Sequence, residues 1–464
     1  MAVFGLPKWS FMFRSGFFRS ASLLVGGTAI AQGLSLLALP LLTRLYGPSD
    51  FSVLAVYASA LGIVSAAACL RFEIAIPLPL KDRDAINLLA LALGSSATIS
   101  LLIALPIAIF PYEIAKFFAS PQLEAYLWLL PVGVWLSSSY SALQFWATRK
   151  KKFGLISRTR ISQAIGGVGA QVGLGLCGLN SLGLILGQLV NNCAGIFGLT
   201  RQVYKTDRRL LCTIGRQQLA RTFKEYERFP KYSTLESLAN STGIQLPIIL
   251  IAGFSIGGEA GYLMLASRIM AAPLTLIGGA VSQVYLSQAP EELRNGNLGA
   301  FTAKVLSGLM RTGVGPLVFI GVISPTLFPI VFGENWQRAG EMVAWMTPWF
   351  LLQFLSSPLS MVLHITQNQR LALGLQIGGL LFRVGSVLLA AYWVKNFIFE
   401  FYAISGLVFY LIYILVIGCI SKVRLQHFNK GLVVNLSIVA GWVFIGIIVK
   451  YVIDYSAPLL FGLS

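Results

Sequence analysis

Twelve apolar segments, each close to the ~20 residues that carry a helix across a bilayer, recur along this chain. They lie at 20–43, 51–76, 86–110, 123–147, 155–177, 181–203, 232–254, 260–287, 302–328, 341–366, 371–394 and 399–421. Hydrocarbon offers no partner to a backbone N–H or C=O, so such segments must close their own hydrogen bonds as helices. An all-α polytopic membrane protein is therefore predicted. Composition agrees: 56% of 464 residues are hydrophobic and 11% charged, too little charge to coat a soluble domain.

The polar stretch Arg201–Lys231 divides the segments six and six. It carries nine Lys or Arg against Asp207, Glu225 and Glu227, which the positive-inside rule assigns to the cytoplasm. The basic loops 149–160 and 422–430 fall on the same side, and the nearly uncharged loops 179–181 and 255–260 on the other. The net charge of +18 thus reads as topology, and no nucleic-acid partner is expected. Leu219, Phe223 and Tyr226 recur at helical spacing, predicting a short helix over 216–228 on the inner membrane surface, ended by Pro230.

Because six is even, both halves enter the membrane in the same direction, which predicts two parallel six-helix bundles. The expected division is 1–19 interfacial segment, 20–204 first lobe, 205–230 linker, 231–425 second lobe and 426–464 an extra C-terminal hydrophobic helix. Ala29-Ile30-Ala31 mimics a signal-peptidase site, but the apolar run continues to Leu42 and is expected to stay as an anchor. Gly47-Pro48-Ser49-Asp50 resembles Gly257-Gly258-Glu259, and Ser138-Ser139 with Thr148 returns as Ser356-Ser357 with Thr366. Gly169 and Gly173 are expected to admit close helix packing.

Five cysteines form no CxxC pair, two histidines are too few for a metal site, and no nucleophile has a base beside it. No cofactor, metal or enzymatic activity is expected. The informative residues are the charges at membrane depth, which are costly unless they face a cavity or a partner. Arg268 lies roughly 12 Å into its span, and Arg383 lies in the middle of the eleventh. Arg311 and Arg44 sit nearer span ends. Arg71 and Glu73 occupy the last turns of the second span, about 200° apart around a continuous helix; Glu73 reads as either a structural ion pair or an ion-coupling group.

Gln32, Gln163, Gln171, Gln188, Asn191, Asn192, Gln245, Gln283 and Gln376 are expected to bond between helices, with a subset free for sugar hydroxyls. Arginines in a wet cavity with scarcely any acid favour an anionic substrate, since the guanidinium fork makes paired hydrogen bonds to phosphate. The residues alone therefore point to a transporter of something anionic.

The run Leu42-Thr43-Arg44-Leu45-Tyr46-Gly47-Pro48-Ser49-Asp50-Phe51, then Leu70-Arg71-Phe72-Glu73-Ile74-Ala75-Ile76-Pro77, resembles polysaccharide exporters of the Wzx flippase type. So do Gly261-Tyr262-Leu263, Ala266-Ser267-Arg268 and Pro273 through Val284. Such exporters belong to the MOP (multidrug/oligosaccharidyl-lipid/polysaccharide) superfamily, and the resemblance covers about residues 15–425. It implies a V-shaped pair of lobes in the bacterial inner membrane, with the N-terminus cytoplasmic, flipping an undecaprenyl-pyrophosphate-linked oligosaccharide to the periplasmic face. It also implies contact with membrane lipid, a polysaccharide polymerase and a chain-length regulator. On this reading Arg268, Arg383, Arg71 and Arg311 bind substrate and Glu73 couples an ion. Three alternatives stay open: a cation-coupled multidrug exporter of the same superfamily, a membrane polymerase or ligase, and a scramblase or scaffold. Against the first, the opening span offers only Thr28, Gln32 and Ser35; against the second, the outer loops are short.

Overall fold

The computed structural model describes residues 16–118, 121–255, 258–366, 368–423 and 431–461, and the secondary structure among them is helical. Most of the predicted interfacial segment 1–19 lies outside these residues, as do the basic residues of 424–430. Ahead of the linker run α1 (Gly16–Leu37), α2 (Leu39–Leu45), α3 (Pro48–Ala68), α4 (Phe72–Ala75), α5 (Asp82–Ile109), α6 (Pro111–Phe117), α7 (Leu129–Arg149), α8 (Phe153–Leu176), α9 (Asn180–Cys193) and α10 (Ile196–Leu211). The linker holds α11 (Arg216–Glu225). After it come α12 (Thr234–Phe254), α13 (Glu259–Pro273), α14 (Gly279–Arg294), α15 (Leu298–Leu309), α16 (Gly315–Phe332), α17 (Gln337–Ser356), α18 (Val362–Ile365), α19 (Gln369–Trp393), α20 (Ile398–Ser421) and α21 (Gly431–Phe461).

Among the described residues nine helical stretches are long and apolar enough to cross a membrane. Three further predicted spans correspond to α7, α8 and α17, which are helical in the expected places but more polar. α8 carries Arg158, Arg160, Gln163 and Gln171, and α17 carries Arg338 and Glu341. A helix that turns polar side chains to a cavity or an ion partner inside a bundle need not be apolar all round.

The core divides unevenly along the membrane axis. Towards the end bearing Gly47-Pro48, here the turn end, one apolar cluster draws on both halves: Leu42, Phe51 and Leu54 meet Leu263, Trp336 and Met342. Towards the end bearing the linker, the cluster of Phe72, Ile86, Trp146 and Leu199 belongs to the first half alone. That of Tyr285, Leu363 and Tyr413 belongs to the second. Burial of shared apolar surface is what binds two helical bodies together, so the halves are joined at the turn end and parted at the linker end.

Specific contacts close the turn-end seam. Trp336 Nε1 donates to the Thr43 carbonyl at 3.2 Å, Arg44 donates to the Ile330 carbonyl at 3.1 Å, and Phe51 meets the Trp336 ring edge-on at 4.9 Å. Pro48 rests on Gly258 and Gly261, where a Cβ on Gly261 would come within 2.9 Å of the Ser52 nitrogen. The two turn motifs matched in sequence therefore touch each other. Farther in, Ser59 donates to Gln245 at 3.2 Å and Ser241 to the Gly62 carbonyl at 2.9 Å.

The matched Ser/Thr pattern also does the same thing twice. Ser138 bonds the Val134 carbonyl and Thr148 that of Gln144; Ser356 bonds Leu352 and Thr366 bonds Val362. Each satisfies its hydroxyl one turn back on its own helix. Gly169 and Gly173 behave otherwise than expected, because a Cβ at either would meet open space, whereas Gly167 packs on Asn191 and Gly187 on Gln171.

The linker end departs most from the sequence reading. α3 stops at Ala68, and Leu70 (φ 50°) and Arg71 (φ 60°) turn left-handed, so the continuous helix predicted to Ile76 does not form. Beyond the break, the Arg149 guanidinium gathers the chain that follows, donating to the carbonyls of Ile76, Pro77, Pro79 and Leu80 and to Asp82. Those bonds require carbonyls freed from a helical ladder. Beside it, burial opposes the charge on Lys150, but the hydrogen bond to Asp82 and the charge of Asp207 outweigh it and hold the ammonium above its ordinary pKa. α11 packs on α5, with Phe223 5.5 Å from Phe72. Pro230 enters a π-helical turn, Phe229–Ser233, that leads into α12.

Two more π-helical turns interrupt second-half spans, Leu274–Gly278 directly after Pro273 and Met310–Val314. Proline lacks the N–H of the normal ladder, and the wider turn accommodates the loss. α21 lies along α16, with Trp442 against Gly315 and 5.7 Å from Phe319.

Candidate functional site

Two cavities adjoin, one between the halves and one within the first half. The larger, about 340 Å³, lies between the halves: α1 and α2 supply Gln32, Ser35 and Leu39, α8 and α9 supply Gln171, Gln188 and Asn191, and α13 supplies Arg268. The second, about 270 Å³, shares Gln32, Ser35 and Asn191 with it and adds Tyr140, Gln144, Arg160 and Gln163. Among the described residues no carboxylate lines either. The space is cationic through its two arginines and otherwise rich in carboxamides and hydroxyls.

The polar groups are held by backbone and by each other. Tyr46 donates to the Gln171 carbonyl at 2.6 Å, and Gln171 Nε2 reaches the Leu184 carbonyl at 3.4 Å. Asn191 Nδ2 donates to the Gln163 carbonyl at 3.0 Å, and Tyr140 shares a bond with Thr159 at 3.2 Å. Arg160 Nη1 donates to Thr28 at 2.8 Å. A carboxamide offers donor and acceptor side by side, the complement of a sugar hydroxyl pair, and a guanidinium complements phosphate or carboxylate.

Of the residues singled out in the sequence, Arg268 lines the larger cavity. Arg383 lines neither. It is 6% exposed, stacked 4.3 Å over Phe409 and 5.3 Å from Tyr410, in a small recess with Asn240, Gly243 and Gln376. Arg311 is exposed in the π-helical turn between α15 and α16. Because Arg71 leaves the helix, it folds back to Glu73 at 3.4 Å, and the 200° separation expected on one helix does not arise. Glu73 is 5% exposed and its Oε2 has no hydrogen-bond partner. Gln245 serves the seam; the side chain of Gln283 lies outside the described residues.

Arg160, Tyr140 and Gln144 are the cavity residues that sequence reasoning missed. Arg160 stands seven positions into α8, about 10 Å from its start, a depth that should have separated it from the loop charges of 149–158. Its place on the same face of α8 as Gln163 and Gln171, three and eleven residues on, was the available signal.

A family model described as polysaccharide biosynthesis protein matches residues 41–341. No curated protein matches in sequence. Among solved structures, the lipid II flippase MurJ in an inward closed conformation is similar with a TM-score of 0.68 at 12% identity, over 94% of this chain and 99% of that one. An inward-facing multidrug resistance MATE transporter of the MOP superfamily gives 0.56 at 12%, over 86% and 96%. A MATE transporter of Vibrio cholerae gives 0.58 at 11%, over 89% and 96%. At these identities the likeness is one of fold.

Proposed function

From the premise that the chain belongs to the polysaccharide biosynthesis protein family and has the MurJ and MATE fold, we propose that it is a flippase for a polyprenyl-pyrophosphate-linked oligosaccharide. The observation that carries this reading is the carboxylate-free cavity between halves joined at one end only. Arg268 draws in the pyrophosphate, the carboxamides of the first half receive the glycan, and the polyprenyl tail stays in lipid. A multidrug exporter shares the fold, but a cationic drug needs acids where this cavity has none. The fold neighbours are transporters and flippases, which argues against a polymerase or ligase.

In this proposal the linker end faces the cytoplasm of a bacterial inner membrane, as its Lys and Arg excess favours. Residues 20–204 and 231–425 rock against each other. Arg71 and Arg311 receive the headgroup outside the cavity, Arg383 orders the second half by its aromatic stacking, and buried Glu73 exchanges a coupling proton at the linker end. A polymerase and a chain-length regulator take the product on the far side.

The test is the sidedness of lipid-linked glycan in cells lacking the protein, read with a membrane-impermeant probe on spheroplasts and inside-out vesicles. Complete units should collect on the cytoplasmic face, and Arg268→Ala should fail to restore export while remaining in the membrane at normal amount. Units that still reach the outer face, in a strain without a second flippase, would remove the proposal.

A further inference from the structure

At the turn end, away from the cavity, one guanidinium holds three carboxylates. Arg338 on α17 lies 2.7 Å from Glu400 at the start of α20, 3.3 Å from Glu259 at the start of α13 and 3.3 Å from Glu341 on its own helix. The Arg338 guanidinium also faces the Phe399 ring at 5.9 Å. Glu400 is 8% exposed, and while its Oε1 takes the short bond to Arg338, its Oε2 is buried with no hydrogen-bond partner. Fully ionised, the cluster would carry a net charge of minus two, partly out of water. Like charges crowded at one site favour retention of a proton, as does an ionised oxygen that is buried and unpaired.

The ligand these groups suit is a proton rather than a metal ion. Among the described residues no group of three His, Cys, Asp or Glu is arranged to hold a metal. The other groups facing the cluster are few. Tyr262 on α13 is the remaining titratable side chain there. Across the seam, Asp50 is occupied with the Gly47 nitrogen and Ser181, and Arg44 with the Ile330 carbonyl.

Position gives the proton a consequence. Glu259 begins the helix whose Gly261 presses on Pro48, and Arg338 follows Trp336 by two residues. Trp336 is the side chain that bonds Thr43 across the seam and packs against Phe51 and Tyr262. The cluster therefore binds together the two second-half elements on which turn-end closure depends.

We propose that Arg338, Glu259 and Glu400 form a proton-binding latch, which takes up a proton when the turn-end seam closes and releases it when the seam opens. Opening admits water to the carboxylates, which lowers their proton affinity. By linkage, acid then favours the closed seam and alkali the open one, by up to about tenfold per pH unit for one proton. The proposal rests on the alternation of the two halves argued above. It differs from the coupling role of Glu73 in acting at the opposite end.

The test uses the full chain in proteoliposomes, with the native cysteines removed and a single Thr43→Cys, a position 6% exposed in the closed seam. Labelling by a charged maleimide is followed from pH 5 to 8. A second variant keeping only Cys177, which is exposed, corrects for the thiol's own titration. Corrected labelling of Thr43→Cys should fall several-fold on acidification. Glu400→Gln, a neutral mimic of the protonated form, should be slow and nearly flat with pH, and Glu113→Gln, an exposed carboxylate on α6, should keep the wild-type slope. Should Glu400→Gln fail to fold, Glu259→Gln gives the same readout. Labelling that ignores pH in the parent, or an unchanged slope in both Glu400→Gln and Glu259→Gln, overturns the latch. Either result leaves glycan sidedness to judge the flippase reading on its own.

Discussion

Replacing Gly261 by alanine separates closure of the seam from stability of the fold. The new Cβ would overlap the Pro48 carbonyl oxygen and lie 2.9 Å from the Ser52 nitrogen and 3.1 Å from Phe51 Cβ. The first two are backbone atoms in the opening turn of α3, where Pro48 fixes φ and Asp50 caps the Gly47 nitrogen at 3.1 Å. They cannot step aside as a flexible side chain would; the halves must part. Glycine to alanine within a helix gains about 1 kcal/mol of propensity, but this is present in closed and open states alike and cancels from their ratio. Overpacking costs about 1–3 kcal/mol and falls on the closed state alone. The closed-to-open ratio should therefore drop about 5- to 150-fold. Spin labels at Ser49 and Glu334, exposed on opposite halves at the turn end, report this as loss of the short-distance population in pulsed EPR. Gly33→Ala, where the added carbon meets open space, is the control. A distance distribution for Gly261→Ala equal to that of the parent would falsify the seam as drawn.

Three other outcomes follow from the geometry. Arg160→Gln removes a charge-assisted hydrogen bond worth ~1.5–3 kcal/mol; restored export should fall on the order of ten- to a hundredfold with unchanged thermal unfolding, and full export would place cargo elsewhere. Trp336→Phe keeps the ring packing but loses the bond to Thr43, so the closed-to-open ratio should fall about 2- to 10-fold for a loss of ~0.5–1.5 kcal/mol, read by the same EPR pair. Arg149→Ala strands the carbonyls of the 76–80 loop and should lower the unfolding temperature by an amount matching ~1–3 kcal/mol, while its effect on turn-end distances is nil.

Helix placement was legible because apolar length is a strong signal: each predicted span lies mainly on helix, although those at 51–76 and 341–366 break before their predicted ends. The local symmetry was legible too, through Gly47-Pro48 and the paired serines, since repeated short motifs carry repeated turn chemistry. The break after Ala68 was not legible. It falls on two left-handed residues, Leu70 and Arg71, neither of which is the glycine or asparagine that signals such a turn. The surroundings of Arg383 were not legible either: depth in a span says that a charge needs a partner, and only the structure places the faces of Phe409 and Tyr410 against it. Arg160 was hidden by a topological charge count that absorbed a residue already inside the bundle.

The asymmetry between the two ends sets what the cargo has to accomplish. At the linker end the two buried apolar cores are separate, so admitting a headgroup there parts little apolar surface between them. At the turn end, opening breaks the hydrogen bonds Trp336–Thr43 and Arg44–Ile330 between the halves, at roughly 1 kcal/mol net each, besides exposing apolar surface, while Ser59–Gln245 lies at mid-depth and Ser241–Gly62 nearer the linker end. A ligand that turns such a seam from almost always closed to almost always open must bind the open form about 5.5 kcal/mol more tightly. On the flippase proposal, Arg268 on a pyrophosphate would not supply that difference by itself if it held the headgroup equally in both states. The first half holds Arg160 and the carboxamides, whereas Arg268 comes from the second, so a headgroup spanning both is the only kind of ligand whose contacts change when the halves turn. On the flippase proposal, a complete lipid-linked glycan should therefore shift the turn-end distances measured by EPR more than pyrophosphate alone, and equal shifts would count against a headgroup held by both halves.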